Sequence, residues 1–399
     1  MGTQKAGSSR DALQTAEELG YFTCLFTNNQ KQIFDRVAYP DVHLMQYCDL
    51  DDIEAVRETI NYLRHSALNI SAIISYVDPY CGLAAKLAKE YGVGCFTCEA
   101  LEIMHDKLRS REILNDTPYN PAYLVVTQKN YRTDQNIRNL LPAVVKYHDS
   151  NGSKDVYYCE NIEAYYKYCE RLFREYPGSK LIVEEYLEGH QFIVETLVVD
   201  RKVHIVGLIE QEVDFVNEHF IITGYNLITN MHRSYYEKLK TAVETIISKH
   251  GLENGPCHLE MRLTKGKWKL VEANPRISGA GMNKLLKIGF GINLVAETLK
   301  LAMKQEIDLE PRFYKNTFAQ YIILEEEGIL RKITGRKEVL DSPGVEYVYI
   351  KPKKGSYLQL PTSLGNRYAY VIATGRSEAE ARANAKNAAE KIVFHLFTE

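Results

Sequence analysis

Two short segments near residue 265 carry the acidic and amide side chains best suited to hold a metal ion. A strand over residues 257–263 would present Glu260, and a strand over residues 267–274 would present Glu272 and Asn274. Carboxylate and amide oxygens form an all-oxygen donor set, which suits Mg²⁺. The sequence therefore predicts a magnesium site built from these three side chains.

Strand alternation predicts which side chains share the metal face. They are His258, Glu260 and Arg262 from the first strand and Trp268, Leu270, Glu272 and Asn274 from the second. A strict two-residue turn would pair Glu260 with Val271 and direct Glu272 away. The acids converge only if the loop has three residues or one strand carries a bulge, and Lys265-Gly266-Lys267 supplies a glycine for either solution. We predict an irregular hairpin with Glu260 opposite Glu272; the alternative is a solvated hairpin whose acids pair with nearby lysines and arginines.

An arginine and a run of small residues follow this hairpin. Arg276 is a planar cation with several donors, placed just past the metal strand to meet phosphate oxygens. The loop after it leaves backbone N–H groups free for an anion. We select Ser278, Gly279 and Gly281 as contacts near a carboxylate substrate.

Two lysines and one hinge-like segment complete the candidate chemistry. Lys146 ends an apolar strand at residues 143–147, and Lys107 stands at a helix start. The loop after Lys146 supplies Ser150, Gly152 and Ser153, which would make a mobile cover for phosphate. Residues 181–189 form a strand that runs into a turn, where unpaired backbone groups can bind adenine. An ordinary surface hairpin and an ordinary edge strand are the competing interpretations.

Helices and short apolar strands alternate around these residues. In the first hundred residues, helices are predicted at 10–19, 51–64 and 81–91, and strands at 21–26, 70–76 and 93–96. This alternation favours a parallel sheet of βαβ units. Little sequence precedes the Gly7-Ser8-Ser9 turn, so either the N-terminus is shortened or the sheet starts one strand late.

The rest of the chain continues with strands and helices and then changes pattern. Strands are predicted at 143–147, 181–186, 192–199, 204–211, 257–263 and 267–274, and helices at 161–175, 234–250 and 293–303. From about Phe313 short strands and turns dominate, ending with a strand at 368–374. Ser377, with Glu380 three residues on, predicts the start of a last helix.

Composition excludes several classes of protein. The 399 residues carry a net charge of −3, which gives no general basic field for nucleic acid or anionic membranes. No apolar run of about 18 residues predicts a membrane span, and the first residues lack the apolar core of a secretory signal. Cys95 and Cys98 have CxxC spacing without the second ligand pair of a zinc site. A reducing cytoplasm fits best.

Together these residues resemble the ATP-grasp superfamily over nearly the whole chain. The motifs, in order, are Asp106-Lys107 with Arg111, Val144-Val145-Lys146 with Ser150-Asn151-Gly152-Ser153, Glu184-Glu185-Tyr186-Leu187-Glu188-Gly189, Glu260, and Glu272-Ala273-Asn274-Pro275-Arg276. The resemblance implies a nucleotide-binding set of Lys107, Lys146, Ser150, Gly152, Ser153, Glu184, Glu185, Tyr186, Leu187 and Gln191. It places Glu184 at the adenine amino group and Arg276 at the transferring phosphoryl group, with Lys146 and Arg276 as the catalytic residues. It also implies ATP and Mg²⁺, with two ions expected and Mn²⁺ as a substitute.

Two positions depart from the superfamily pattern. Gln191 stands where a glutamate often contacts ribose, although an amide can still bond a hydroxyl. Asp155 stands where the phosphate loop usually continues with glycine, which adds negative charge near the triphosphate.

The tail is similar to the last domain of the L-amino acid ligases, through motifs such as Gly328 to Gly335, Lys351-Pro352 and residues 370–375. That resemblance implies an α/β fold with an N-terminal parallel α/β domain at 1–105, an ATP-grasp domain at 106–308 and a C-terminal α+β domain at 309–399. The ATP-grasp domain divides into a lid half, 106–186, and a metal half, 187–308.

The function implied is an ATP-dependent carboxylate–amine ligase that acts through an acyl-phosphate on small molecules, expected to be amino acids. The alternatives are a bicarbonate-using carboxylase-like enzyme and a non-catalytic nucleotide-binding module. We expect no nucleic-acid or membrane partner. A homodimer stays open, because the sequence does not determine the oligomeric state.

Overall fold

The computed structural model describes residues 1–150 and 154–397. The helices are α1 Ser8–Glu18, α2 Gln30–Phe34, α3 Ile53–His65, α4 Tyr80–Glu90, α5 Cys98–His105, α6 Lys107–Ile113, α7 Ile137–Leu140, α8 Ile162–Glu175, α9 Arg233–His250, α10 Met282–Phe290, α11 Leu294–Ala302, α12 Arg336–Leu340 and α13 Glu378–Ala389. The strands are β1 Cys24–Thr27, β2 Leu44–Tyr47, β3 Tyr123–Thr127, β4 Ala143–Tyr147, β5 Val156–Cys159, β6 Lys180–Glu185, β7 His190–Val199, β8 Lys202–Val216, β9 His219–Leu227, β10 Gly255–Thr264, β11 Lys267–Asn274, β12 Asn316–Ile322, β13 Gly328–Thr334, β14 Val345–Ile350, β15 Tyr357–Leu358, β16 Ala369–Gly375 and β17 Val393–Phe397. Among the described residues, no helix combines the length and apolar character needed to cross a bilayer.

The first part of the chain has the three predicted helices but fewer regular strands than the sequence predicts. The helices appear as α1, α3 and α4, and β1 pairs in parallel with β2. The predicted strands at 70–76 and 93–96 are wrong, because the described structure has no strand in either segment. The Ile74 carbonyl accepts the Met1 ammonium at 2.6 Å, and the Val93 N–H returns to the Ala88 carbonyl at the end of α4. The segment before α1 lies beside β1, where the Gly2 N–H bonds the Phe26 carbonyl at 2.9 Å.

A four-stranded antiparallel sheet, here called the lid sheet, has the order β3-β6-β4-β5. α8 covers it and begins after Asn161, whose side chain accepts the Ala164 N–H at 2.9 Å. Tyr165 and Leu172 lie on one face of α8 and pack with Val145 of β4. This packing fixes the strand that ends at Lys146.

An eight-stranded sheet, here called the main sheet, has the order β11-β10-β7-β8-β9-β12-β16-β14. α10 and α11 pack in one apolar core on this sheet, through residues such as Leu286 and Val295, and α9 packs in another through Val243 and Ile246. α9 ends at Gly251, whose φ of 74° is the left-handed conformation that glycine adopts at helix ends. The predicted helices α8, α9 and α11 and the six predicted strands from residue 143 to 274 are confirmed within two residues at their starts, although β8 runs on to Val216.

The C-terminal strands are divided between the main sheet and a separate sheet. β12 pairs with β9, so strands on both sides of residue 308 belong to the main sheet, while β15, β13 and β17 form a small separate sheet. The predicted start of α13 is confirmed, because the Ser377 side chain accepts the Glu380 N–H at 3.2 Å. The Glu380 carboxylate in turn accepts the N–H of Arg376, one residue further back than in a standard capping box.

Candidate active site

The acidic hairpin, β10 with β11, brings the two predicted metal ligands together. Glu260 and Glu272 are direct partners in its antiparallel register. The turn has only two residues, Lys265 and Gly266, both with positive φ. Met261 pairs with Leu270, so Val271 is the extra residue of a β-bulge. The predicted irregular hairpin is confirmed, and the bulge is the device that produces it.

The same bulge corrects the predicted metal face. Trp268 and Leu270 are buried in the core with Met261, on the side opposite to Glu260. The extra residue at Val271 reverses the alternation, so Glu272 and Asn274 emerge on the other side of β11. The prediction that Trp268 and Leu270 share a face with Glu272 is therefore wrong.

Lys107 and Gln191 hold the acidic pair from two sides. The Lys107 ammonium lies 2.9 Å from the Glu272 carboxylate and also donates to the Ser150 carbonyl. The Gln191 amide donates to Glu260 at 3.4 Å. Burial and the adjacent Glu272 raise the pKa of Glu260 to about 7. Burial would also raise the pKa of Glu272, but Lys107, with Lys146 and His258, outweighs this effect and lowers that pKa.

The donor set of this hairpin fits Mg²⁺. Asn274 pairs with His258 two register positions from Glu260 and Glu272. Its Nδ2, a hydrogen-bond donor, has no partner among the described residues, and its amide oxygen would be the atom that binds a cation. No cluster of three histidine, cysteine, aspartate or glutamate side chains occurs in the described part of the chain. A site here would rest on Glu260, Glu272 and the Asn274 amide, which suits an ion that takes one or two carboxylates and leaves positions for phosphate oxygens.

Behind the hairpin, a buried carboxylate joins two cations of the predicted nucleotide site. Glu184 receives the Arg111 guanidinium at 2.6 Å and the Lys146 ammonium at 2.7 Å, and all three side chains are buried. Burial alone would raise the pKa of Glu184, but the two cations lower it to about 2. Each oxygen of Glu184 keeps a further acceptor position, so its contact with the adenine amino group stays a prediction compatible with both ion pairs.

A cavity of about 120 Å³ lies between the lid sheet and the main sheet. It is here called the inter-sheet cavity, and its lining includes Lys107, Lys146, Ser150, Glu184, Glu185, Tyr186, Leu187, Gln191, Glu260 and Glu272. The structure thus brings together most of the predicted nucleotide and metal residues. Gly152 and Ser153 lie outside the described residues.

Two arginines near this cavity have no role in the prediction made from the sequence. Arg262 lies 5.3 Å from the Tyr186 ring centroid, and it donates to the Leu187 carbonyl and to the Gln191 side chain. Arg111 follows Lys107 by four residues on α6, a spacing that puts both on one helix face. The four-residue spacing is the sequence signal for Arg111. For Arg262 the signal is strand alternation, which puts it on the same face of β10 as Glu260.

Arg276 and the loop after it contact side chains from three other parts of the chain. The Arg276 guanidinium lies 2.6 Å from Asp78, and this pairing holds its pKa above the usual range although burial opposes it. The Ser278 N–H and hydroxyl both bond the buried Glu195, and the Gly281 N–H bonds the Tyr321 hydroxyl at 3.4 Å. Ser278 thus faces the interior.

The role of these three residues as substrate contacts stays a prediction. Ser278, Gly279 and Gly281 do not line the inter-sheet cavity. Ala280, between them, lines a second cavity that also contains residues of the N-terminal and C-terminal segments. A backbone contact from Gly279 or Gly281 stays a prediction.

Glu195→Gln should flatten the pH dependence of stability. Burial raises the pKa of Glu195 from 4.5 to about 8, so the folded protein holds this proton more tightly than the unfolded chain. The stabilisation is complete below the unfolded pKa and is lost as pH rises through 8. We expect the melting temperature of the native protein to fall by a few degrees between pH 5 and pH 8.5 relative to the variant. Parallel curves of melting temperature against pH would contradict this.

Comparisons with known proteins agree with this geometry. A model of the ATP-grasp domain matches residues 139–284, and a model of the L-amino acid ligase C-terminal domain 2 matches residues 320–396. A solved L-amino acid ligase from Bacillus licheniformis superposes with a TM-score of 0.83 at 20% identity, covering 99% of this chain and 97% of that one. This likeness shows a shared fold and confirms the predicted α/β ATP-grasp architecture.

Two curated relatives extend the comparison. The uncharacterized protein y4rH of Sinorhizobium fredii is 23% identical, covering 90% of this chain and 75% of its own length. Dapdiamide A synthase of Enterobacter agglomerans is 20% identical, covering 66% of this chain and 63% of its own length. The chain therefore contains an ATP-grasp domain followed by the C-terminal domain 2 of the L-amino acid ligases, and it is similar to ATP-grasp ligases that form carbon–nitrogen bonds.

Proposed function

We propose that this ligase uses ATP and Mg²⁺ to join the carboxylate of one amino acid to the amine of another. The observation that carries the proposal is the bulged hairpin, which sets Glu260 opposite Glu272 beside Lys107 and Lys146. Arg276 lies close enough for its charge to act on Glu260. Carboxylates for a metal and cations for phosphate thus converge at one place.

The proposed reaction has two steps. A carboxylate oxygen attacks the γ-phosphorus of ATP, the bond from that phosphorus to the β–γ bridging oxygen breaks, and ADP leaves. The free amine then attacks the carbonyl carbon of the acyl-phosphate, and the carbon–oxygen bond breaks to release phosphate. The nitrogen loses its proton to solvent, which leaves the amide.

The chain's own residues would position these groups and offset their charge. Lys107 and Lys146 would hold the phosphates, and Arg276 would meet the transferring phosphoryl group, so that catalysis is mainly orientation and electrostatics. Glu260, Glu272 and Asn274 would hold Mg²⁺, with two ions proposed and Mn²⁺ as a substitute. The metal would supply Lewis-acid stabilisation of the phosphoryl oxygens.

Binding of ATP would require the two sheets to separate. The inter-sheet cavity holds about 120 Å³, whereas pockets for ligands of this size begin at roughly 300 Å³. Lys107 of α6 links the loop after β4 to the acidic hairpin, because it bonds both the Ser150 carbonyl and Glu272. The bond to Ser150 would open on entry. Renewed closure of this loop would exclude water, which otherwise hydrolyses an acyl-phosphate.

Three further proposals concern the domain division, the cellular compartment and the assembly. The domain division is 1–105, 106–308 and 309–399, with the third unit sharing the main sheet through β12. A reducing compartment such as the cytoplasm is proposed because all eight cysteines are free thiols. A homodimer is the proposed assembly.

The test is release of phosphate from ATP and Mg²⁺ across all pairs of amino acids, with mass spectrometry of the products. The expected result is ADP, phosphate and a dipeptide for a restricted set of pairs. Bicarbonate-dependent release of ADP without an amine would indicate a carboxylase-like enzyme instead. Nucleotide binding without turnover on any pair would indicate a binding module.

A further inference from the structure

A second cavity, of about 600 Å³, borders the loop at 278–281 through Ala280. We call it the cationic cavity. Its walls come from the first residues of the chain, from Ala280 and from the C-terminal segment. It is large enough for an amino-acid substrate and lies beside the loop that follows the acidic hairpin.

The charged residues of this cavity are strongly unbalanced. Its lining contains four cations, Lys5, Lys31, Lys351 and Arg367, against one carboxylate, Asp35. Asp35 is itself 3.8 Å from Lys353, which lies outside the lining. The cavity therefore presents a net positive field to whatever enters it.

Arg367 is the buried member of this set, with only 8% of its surface exposed. Its Nη1 donates to the Ile222 carbonyl at 2.8 Å and to the Tyr225 hydroxyl at 3.0 Å, and its guanidinium lies 4.0 Å from the Tyr321 ring centroid. No carboxylate of the described residues pairs with it within 4.0 Å. The charge of Glu260 acts on Arg367 only from beyond contact distance. Because a buried guanidinium without a contacting counter-ion is costly, an anionic ligand in this cavity would supply that contact.

Arg367 also connects the two cavities. Ile222, whose carbonyl it holds, lines the inter-sheet cavity. Tyr321, on which it stacks, accepts the N–H of Gly281. An anion held by Arg367 would thus lie between the small-residue loop and the proposed phosphate site.

We propose that the cationic cavity binds the acid substrate and selects one that carries a second anionic group besides the reacting carboxylate. An amino acid with an uncharged side chain has no net charge and gains little from a positive cavity. A dicarboxylic amino acid supplies one carboxylate for the reaction and another for Arg367 and Lys351. This inference rests on the proposed ligase function and names its substrate class.

Binding of L-glutamate and L-glutamine to the full chain tests the inference, because the two ligands differ in charge and hardly in shape. Calorimetry would be done with Mg²⁺ and a non-hydrolysable ATP analogue. We expect glutamate to bind at least about tenfold more tightly, since a charge-assisted contact is worth about that factor. Lys351→Met and Arg367→Met should each remove most of this preference, and Lys354→Met, an exposed lysine outside the lining, should keep it.

The exposed Lys351 keeps the test valid if the Arg367 variant fails to fold. Equal affinity for the two ligands, or an unchanged preference in Lys351→Met, would overturn the inference. Ligation of neutral amino acids alone would also overturn it and leave the ligase function standing. Absence of ligation with every pair would remove the ligase function, and the glutamate titration would still decide whether the cavity selects anions.

Discussion

Glu272→Gln should lower the kcat of ATP-dependent amide formation by about a thousandfold or more, the scale of losing one charged group at a reacting phosphate. Glutamine keeps the length and shape of the side chain and removes only its charge. That charge faces Glu260 across the hairpin and lies 2.9 Å from the Lys107 ammonium. The variant would lose one anionic metal ligand and leave Lys107 without its partner, while β11 keeps its register.

The measurement is release of ADP and phosphate at saturating ATP, with the Mg²⁺ concentration varied, and mass spectrometry of the amide. A partial recovery at high Mg²⁺ would locate the defect in metal binding. Glu253→Gln is the matched control, because Glu253 pairs with Arg201 at the surface, away from both cavities. Near-normal turnover in Glu272→Gln would remove this residue from the metal site.

The convergence of the two acids could be predicted because strand geometry leaves few solutions. With a period of two residues, a two-residue turn and no bulge, Glu260 and Glu272 cannot face the same side. The sequence could not locate the irregularity, since a longer loop and a bulge were equally compatible with the glycine at 266. The bulge at Val271 lies between Glu272 and the pair Trp268 and Leu270. Strict alternation therefore predicted the wrong face for Trp268 and Leu270.

Contacts between distant parts of the chain could not be predicted from the local pattern. Arg276 pairs with Asp78, and Ser278 bonds Glu195. Small residues after Arg276 correctly indicated a tight loop, but the direction of the Ser278 hydroxyl depends on a carboxylate buried in β7. The cationic cavity is likewise assembled from segments far apart in sequence, so no single motif indicated Arg367.

Strands with a clear local sequence pattern were predicted correctly, whereas those that depend on distant contacts were not. β4, β10 and β11 combine apolar alternation with clear turns, and their predicted positions are confirmed. β9 was not predicted, because Thr223 and Gly224 interrupt its alternation at a bulge against β8. The apolar segment at 70–76 has the composition of a strand, but its bonds go to the first residue of the chain: the Ile74 carbonyl accepts the Met1 ammonium, and the Ser75 hydroxyl donates to the Met1 carbonyl.

Lys146→Met should raise the KM for ATP by about tenfold or more and lower kcat, because a buried ammonium next to phosphate acts in a medium of low dielectric constant. Its side chain is buried, and burial lowers its pKa although Glu184 opposes this shift. Methionine preserves the packing, and Glu184 keeps Arg111 at 2.6 Å, so the fold should survive.

Lys180→Met provides the control for Lys146→Met, since Lys180 is an exposed lysine of the neighbouring strand β6 in the same lid sheet. It should leave the KM for ATP unchanged. Glu184→Gln tests whether Glu184 acts by orienting Lys146. If it does, the single variant should show part of the rise in the KM for ATP, and Glu184→Gln combined with Lys146→Met should be hardly worse than Lys146→Met alone. Unchanged KM and kcat in Lys146→Met would mean that this lysine only balances a buried carboxylate, and the phosphates would then have to be held by Lys107 and Arg276.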